Sequence, residues 1–219
     1  MNRLTRIAAV AAAALACTAS PALAEDDPYT TDSVQPSWTA ASAESCADPD
    51  TAPLLSSFDD DDLYAPAPGG SFDDGPGGWQ LDGGAAVGAS DGGLNVLGMN
   101  RGALYLPVGA SALSPTFCVD ERYPHFRFAY AQDSLDEDSD VRVEVIYPGL
   151  EKDNVRKAKD LKAKHGRGWS LSDRVKLNPT HGLKRGGWRL LAVRLSVRDG
   201  KPGTRVRVDD VLIDPMMRR

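Results

Sequence analysis

The chain has 219 residues, with 31 acids against 25 bases for a net charge of −6, 42% hydrophobic residues and three cysteines. The acidic balance argues against a nucleic-acid binder, and no nucleic-acid partner is expected. Past the first 24 residues no stretch is apolar enough to span a bilayer, so no transmembrane segment is expected.

The opening "MNRLTRIAAVAAAALACTASPALA" has two arginines, a ten-residue apolar run from Ile7 to Ala16, and Ala22-Leu23-Ala24 at its end. This is the layout of a secretory signal, with small residues where a peptidase cuts, and residues 1–24 are expected to be removed after Ala24. The apolar run falls well short of the ~20 residues of a membrane anchor. Cys17 offers a lipid-anchoring alternative, but Ala14-Leu15-Ala16 before it lacks the branched aliphatic residue of a lipobox. Export as a secreted, extracellular protein is therefore expected. The mature chain keeps two cysteines, Cys46 and Cys118, which in an oxidising compartment are most simply one disulfide.

Residues 25–45 are polar and without period, and read as a flexible acidic linker holding one odd aromatic, Trp38. From Cys46 to Pro68 the chain is irregular but carries Leu54, Leu55, Phe58, Leu63 and Tyr64, interrupted by the run Asp59 to Asp62. A disulfide-tethered lead-in (46–68) lying over the folded body (46–219) accounts for these apolar points.

After Gly70 the sequence becomes a series of short strands separated by Gly, Pro, Asp and Asn. "GGSFDDGPGGWQL" is expected to open the first strand, with "GLNVLGM" and "GALYLPV" as further short apolar pieces. "HFRFAYA" alternates Phe126, Phe128 and Tyr130 against His125, Arg127 and Ala129; "VRVEVIY" sets Val141, Val143, Val145 and Tyr147 against Arg142 and Glu144. "RLLAVRLSVRD" turns Leu191, Val193, Leu195 and Val197 one way and Arg194 and Arg198 the other. Period-two alternation with one polar face means antiparallel strands, each burying one side, and many of them mean a sandwich or barrel. "EKDNVRKAKDLKAKHG" has helix-forming residues, but Val155 and Leu161 are too few for an apolar stripe. A charged hairpin or edge strand is expected there, because lysines on an edge discourage pairing between molecules. In the last strand Val206 and Val208 share one phase and Val211 and Ile213 the other, which places a β-bulge at Asp209-Asp210.

The Phe-acid pair before a glycine turn and Trp, "SFDDGPGGW", together with the terminal "VRVDDVLID", resembles the galactose-binding-like jelly rolls of many carbohydrate-binding modules. The order of Cys46, "APGGSF", "GWQLDGGA", "LYLPVGASALSP", Cys118 and "DDVLIDP" is similar to a group of secreted single-domain bacterial proteins of unassigned activity. The resemblance implies an all-β, antiparallel jelly-roll β-sandwich that is galactose-binding-domain-like. It also implies one structural calcium ion between the first and last strands, with Asp73 as one ligand and Asp209 or Asp210 as another. Such a cation wants six to eight oxygens, several of them carboxylate or backbone carbonyl. The alternative is that Asp73 and Asp74 hold a glycine turn through their own backbone, while Asp209 and Asp210 meet a nearby arginine. A second acidic run, Asp136, Asp138 and Asp140, lacks the glycine and glutamate of a calcium loop, since Val141 and Tyr147 stand in those places; a solvated turn is expected.

No GxSxG, HExxH, Walker loop or zinc-type cysteine pair is present, and His125, His165 and His181 are scattered. No catalytic residue is assigned and a non-enzyme is expected; a glycoside hydrolase is the remote alternative, because paired carboxylates need only spatial proximity. Binding is the better-supported class. Sugar-recognising faces combine flat aromatics with polar groups, so Tyr130, Tyr147 and Trp169, with Arg127 and Arg142, are the candidate ligand-binding residues, although aromatics alternating with valine are usually core. Trp79 and Trp188, each after a double glycine, look like core plugs. From Glu25 to Asp140 there are 22 acids and 3 bases, and from Val141 onward 9 acids and 20 bases. Strands that must share one body are expected to match these charges internally. The other reading turns the basic stretch 152–168 toward an extracellular glycan or acidic envelope polymer, with a structural or protein-interaction role as the further alternative. A monomer is expected.

Overall fold

The computed structural model describes residues 45–90, 92–97, 101–133, 138–147, 153–164, 168–179, 181 and 187–214. The expected signal (1–24), Trp38, all of the expected linker except Ser45, and most of the acidic turn after Asp133 lie outside the described residues. No helix among the described residues is long and apolar enough to cross a membrane.

Thirteen strands run through the described residues: β1 (Ala65–Pro66), β2 (Gln80–Asp82), β3 (Ala86–Ala89), β4 (Gly102–Pro107), β5 (Ser111–Leu113), β6 (Phe117–Val119), β7 (His125–Asp133), β8 (Ser139–Tyr147), β9 (Asn154–Ala163), β10 (Ser170–Leu171), β11 (Val175–Lys176), β12 (Arg189–Asp199) and β13 (Arg205–Asp214). They build two sheets. One follows the order β10-β7-β13-β4-β3, with β1 beside β13 and β11 beside β7; the other follows β2-β5-β12-β8-β9, with β6 beside β12. The long pairings, β13 on β7, β12 on β8 and β8 on β9, are all antiparallel. The fold is the expected antiparallel jelly-roll sandwich.

The alternating residues close the core. Phe126, Phe128, Val141, Val143, Val145, Tyr147, Leu191, Val193, Leu195 and Val197 share one apolar cluster between the sheets. Val206, Val208, Val211 and Ile213 all join it, which simple alternation forbids. The register of β13 on β7 slips between Asp209 and Leu212, and Asp210 takes a left-handed backbone (φ 48°). This is the expected bulge: one extra residue resets the phase, so both halves of the strand bury valine and isoleucine.

Two expectations need correcting. Residues 69–79 form a string of turns rather than the first strand. Gly69, Phe72, Gly75, Gly77 and Gly78 have positive φ, a run no strand sustains, and β2 begins only after Trp79. Phe72 and Trp79 then meet with their rings tilted at 5.3 Å and are both buried in the core. "GLNVLGM" is no strand over its described part, residues 93–97; Val96 and Leu97 instead lie against Leu55, Tyr64 and Leu212 on the outside of the seven-stranded sheet. The strand that adjoins the last one from the start of the body is β1, at Ala65↔Ile213 and Pro66↔Leu212.

The lead-in lies over the sheet as expected. Leu55 and Tyr64 are fully buried, while Phe58 is left 43% exposed. The basic stretch forms an edge strand, β9, pairing with β8 alone. Its lysines reach acids of the same body: Lys157 meets Asp160 at 2.5 Å, Lys159 meets Asp173 at 2.6 Å and Lys162 meets Asp140 at 3.3 Å. Arg205 and Arg207 both reach Asp133, and Arg174 reaches Asp62 and Asp214. Asp62, Asp133 and Asp140 of the first half thus meet bases of the second, while Asp160, Asp173 and Asp214 are matched within the second half.

Cys46 and Cys118 are disulfide-bonded across a separation of 72 residues. Cys118 lies on β6 opposite Leu190 of β12, so the bridge ties the lead-in to the six-stranded sheet while β1 ties it to the other. Closing a loop of that length is worth about 4 kcal/mol in the chain-entropy account. Cys118→Ser should lower the unfolding free energy by roughly that amount in a denaturant titration, with the sheet signal of the far-ultraviolet spectrum retained below the transition.

Candidate functional site

Among the described residues, two places that bring polar groups together bear on the residues expected to bind. The first is a cleft of about 240 Å³ on the open side of the sandwich, between β9 and the β7–β10 edge, lined by Tyr130, Gln132, Lys162, Lys164, Ser170 and Asp173 among others. Ser170 stands opposite Tyr130 in the β10–β7 register, which holds the ring and the hydroxyl side by side. Tyr130 is half-buried, its ring tilted on Phe128 at 5.9 Å. Lys159 pins Asp173 at 2.6 Å across the mouth, so the carboxylate and that lysine compensate one another. Gln132 accepts the Ser139 backbone N–H at 2.9 Å through Oε1, which orients its amide. The cleft is smaller than the ~300–1,000 Å³ of typical small-molecule sites and mostly polar, which suits one sugar unit at the end or side of a chain better than an apolar ligand.

Of the five residues expected to bind ligand, only Tyr130 lines this cleft. Trp169 precedes Ser170 and faces the opposite way, onto the outer face of the sheet. The Arg207 guanidinium covers its ring at 5.1 Å, and its Nε1 is buried without a hydrogen-bond partner. Arg127 lies beneath the lead-in, donating to Asp60 at 2.8 Å, to the Tyr64 hydroxyl at 3.2 Å and to the Ser172 carbonyl at 3.0 Å. Arg142 is on the outside of the other sheet with Asp160 at 3.2 Å. Tyr147 is core, its hydroxyl donating to the Leu177 carbonyl at 2.5 Å. Alternation told which strands these residues ride on but not which sheet each strand joins. Lys162, Lys164, Ser170 and Gln132 escaped the sequence reading because their only shared signal is the meeting of two edges distant in sequence.

The second place is the junction of Asp73 with the β13 bulge. Gly102 begins β4 so close to the turn that a Cβ there would sit 2.1 Å from the Phe72 carbonyl oxygen. That approach lets Asp73 Oδ1 accept the backbone N–H of Arg101 at 2.6 Å and of Gly102 at 3.3 Å. Asp210 accepts the N–H of Leu97 at 2.9 Å and of Val96 at 3.4 Å, and Asp209 Oδ1 accepts the Asp210 N–H at 2.7 Å. Asp209 and Asp210 are each 1% exposed. Burial foremost, then the charge of Asp210, pushes the Asp209 carboxyl up to about 8, with Asp73 adding to the rise and the Asp210 N–H opposing it. Asp210 is raised as well, by burial first, against the pull of its backbone donors.

Asp73 and Asp210 both add their charge to the field at Asp209, and among the described residues no basic side chain opposes them there. In charge the junction suits a divalent cation. It is not a finished cage: among the described residues no three His, Cys, Asp or Glu side chains group as metal ligands, and backbone amides already occupy much of Asp73 and Asp210.

No protein-family model matches the chain, and no curated protein sequence is significantly similar to it. Solved structures similar to it include the CBM22-1 xylan-binding domain from Paenibacillus barcinonensis Xyn10C, 12% identical over 66% of this chain and 90% of that one, with a TM-score of 0.41. TmCBM61, solved in complex with beta-1,4-galactotriose, is 14% identical over 67% and 95% of the two chains, with a TM-score of 0.38. CBM28, a non-crystalline cellulose specific carbohydrate-binding module, is 13% identical over 66% and 92%, with a TM-score of 0.43. Likeness at this level adds nothing to the fold already read from the strand pairings.

A carboxyl near 8 in the folded chain and 3.8 unfolded gives a defined pH response. The folded state holds the proton more tightly, so the stability it contributes is present below about 4 and is lost as pH rises toward about 8. In metal-free buffer the melting temperature should fall across that window, and Asp209→Asn should flatten the fall. An unchanged slope in the variant would show that Asp209 does not control it.

Proposed function

We propose that this is an exported, non-catalytic binding protein whose ligand is a carbohydrate or cell-envelope glycan. The observation that carries the reading is the cleft, where the Tyr130 ring, the Ser170 hydroxyl, the Gln132 amide and Lys162 and Lys164 surround a space of about 240 Å³. Pyranose rings present apolar faces and hydroxyl edges. A half-buried ring beside oriented donors and acceptors meets both without large rearrangement. Export rests on the arrangement of residues 1–24 and is consistent with the disulfide. Screening the mature protein against an array of plant and bacterial glycans should yield a saturable hit that Tyr130→Ala weakens at least tenfold without lowering the melting temperature by more than a few degrees. A blank array, together with a specific protein partner recovered from the cell exterior, would instead support the interaction-protein reading. That second reading draws on the lead-in, which already covers much of one sheet face with Leu55, Tyr64 and the Asp60–Arg127 pair.

We also propose that the junction takes one structural calcium ion, held by Asp209 together with Asp73 and Asp210. What supports this is the buried Asp209 carboxyl, raised to about 8 by burial with the charges of Asp210 and Asp73 adding to the rise, a repulsion that a divalent cation would relieve. The ion would supply charge compensation, not chemistry. Adding calcium at pH 8 should raise the melting temperature and EGTA should reverse the rise; equal melting in both would remove the ion from the account.

A further inference from the structure

A cluster of charge lies at the end of the sandwich where β8 finishes, β9 starts and β12 starts, beside Leu177 and His181. Tyr147 and Asn154 pair there across β8 and β9. Arg156 of β9 donates its Nε proton to His181 Nε2 at 2.8 Å, which makes that nitrogen an acceptor and the imidazole neutral. Arg189 of β12 donates through Nη1 to the His181 carbonyl, and its guanidinium covers the Tyr147 ring at 4.7 Å. Two cations from two strands are thus hung on one histidine.

Several arginines of the described residues meet carboxylates: Arg127 has Asp60, Arg142 has Asp160, Arg174 has Asp214 and Arg205 has Asp133. Among the described residues Arg156 and Arg189 form no ion pair, and each makes one hydrogen bond to His181, leaving further N–H donors. Burial lowers the pKa of Arg189, opposed only by Tyr147. His181 is lowered too, by burial first and then by both arginines. Two guanidiniums fixed on one histidine at the ends of their strands, with donors to spare, have the form of an anion site.

We propose that Arg156 and Arg189, oriented by His181, form a binding site for an oxyanion: the carboxylate, sulfate or phosphate group of an acidic glycan, or the same group as a free ion. The guanidinium forks offer paired N–H donors to two oxygens of one group, the geometry that favours arginine over lysine at such sites. Tyr147 is covered by Arg189, so it supports the cation and does not itself stack on a sugar. The site lies apart from the Tyr130 cleft and does not depend on that reading.

The test is calorimetric titration of the mature protein with sodium sulfate, trigalacturonate and neutral galactotriose, at constant ionic strength set with chloride. Wild-type protein should bind the two anionic probes saturably, with a rise in melting temperature. Arg156→Gln, a change on an exposed edge strand, should weaken both at least tenfold while leaving its ligand-free melting temperature equal or higher. Arg189→Gln should do the same, and its proximity to the core makes the Arg156 variant the deciding one. Trigalacturonate binding better than sulfate identifies the source as a glycan; equal binding identifies a free anion, and the site stands in either case. Absence of saturable anion binding, or binding that ignores Arg156→Gln, overturns the proposal. Galactotriose binding without anion binding also overturns it, and leaves the cleft reading intact.

Discussion

The bulge at Asp209-Asp210 is the constraint on which most of the architecture turns. A ten-residue strand with strict alternation would bury either Val206 and Val208 or Val211 and Ile213, and expose the other pair. With one residue inserted, all four reach the core and β13 pairs along its whole length with β7. The cost is local. Asp209 and Asp210 are both carried into a buried position, and one of them must adopt a left-handed backbone. The amides of Val96 and Leu97 cap Asp210, and the lead-in packs Leu55 and Tyr64 on Leu212 of the same strand.

Covering the sheet in this way has a consequence for recognition. The lead-in brings Asp60 and Asp62 onto Arg127 and Arg174, so the acidic run that interrupts its apolar residues supplies the counter-ions for the face it covers. The broad face of the seven-stranded sheet is therefore partly filled by the protein itself, and polar side chains come together instead at its margins. The cleft lies where β9 meets the β7–β10 edge, and the paired arginines lie where three strands begin or end. Edges and ends are where side chains of both sheets reach solvent together, free of the packing that commits the middle of each strand.

Charge follows the same division. The acidic first half and basic second half suggested two electrostatic bodies, yet Asp133 with Arg205 and Arg207, and Asp140 with Lys162, show them interleaved. Exposed pairs of this kind contribute little each, typically ~0–1 kcal/mol. Their effect lies more in removing repulsion than in binding strands together. Against that background, Arg156 and Arg189 form no ion pair among the described residues and meet His181 instead.

The sequence by itself determined the layers. Period-two patterns identified the core residues of β7, β8, β12 and β13, the phase slip located the bulge, and Cys46 and Cys118 identified their bridge, because each is a local pattern or a choice with one simple solution. The edge-strand nature of β9 was legible for the same reason: two apolar residues cannot make a helix stripe. What the string of positive φ values does at 69–79 was not legible, since the same glycines suit a turn between strands or a series of turns. Tertiary structure alone decided that Tyr130 opens on a cleft while Tyr147 is buried, although both share the core phase of their strands. It alone drew Lys162 toward Ser170 and hung Arg156 and Arg189 on His181. Alternation specifies a face; which edges of two sheets come together depends on strand order, and strand order is set by packing between segments that no local pattern connects.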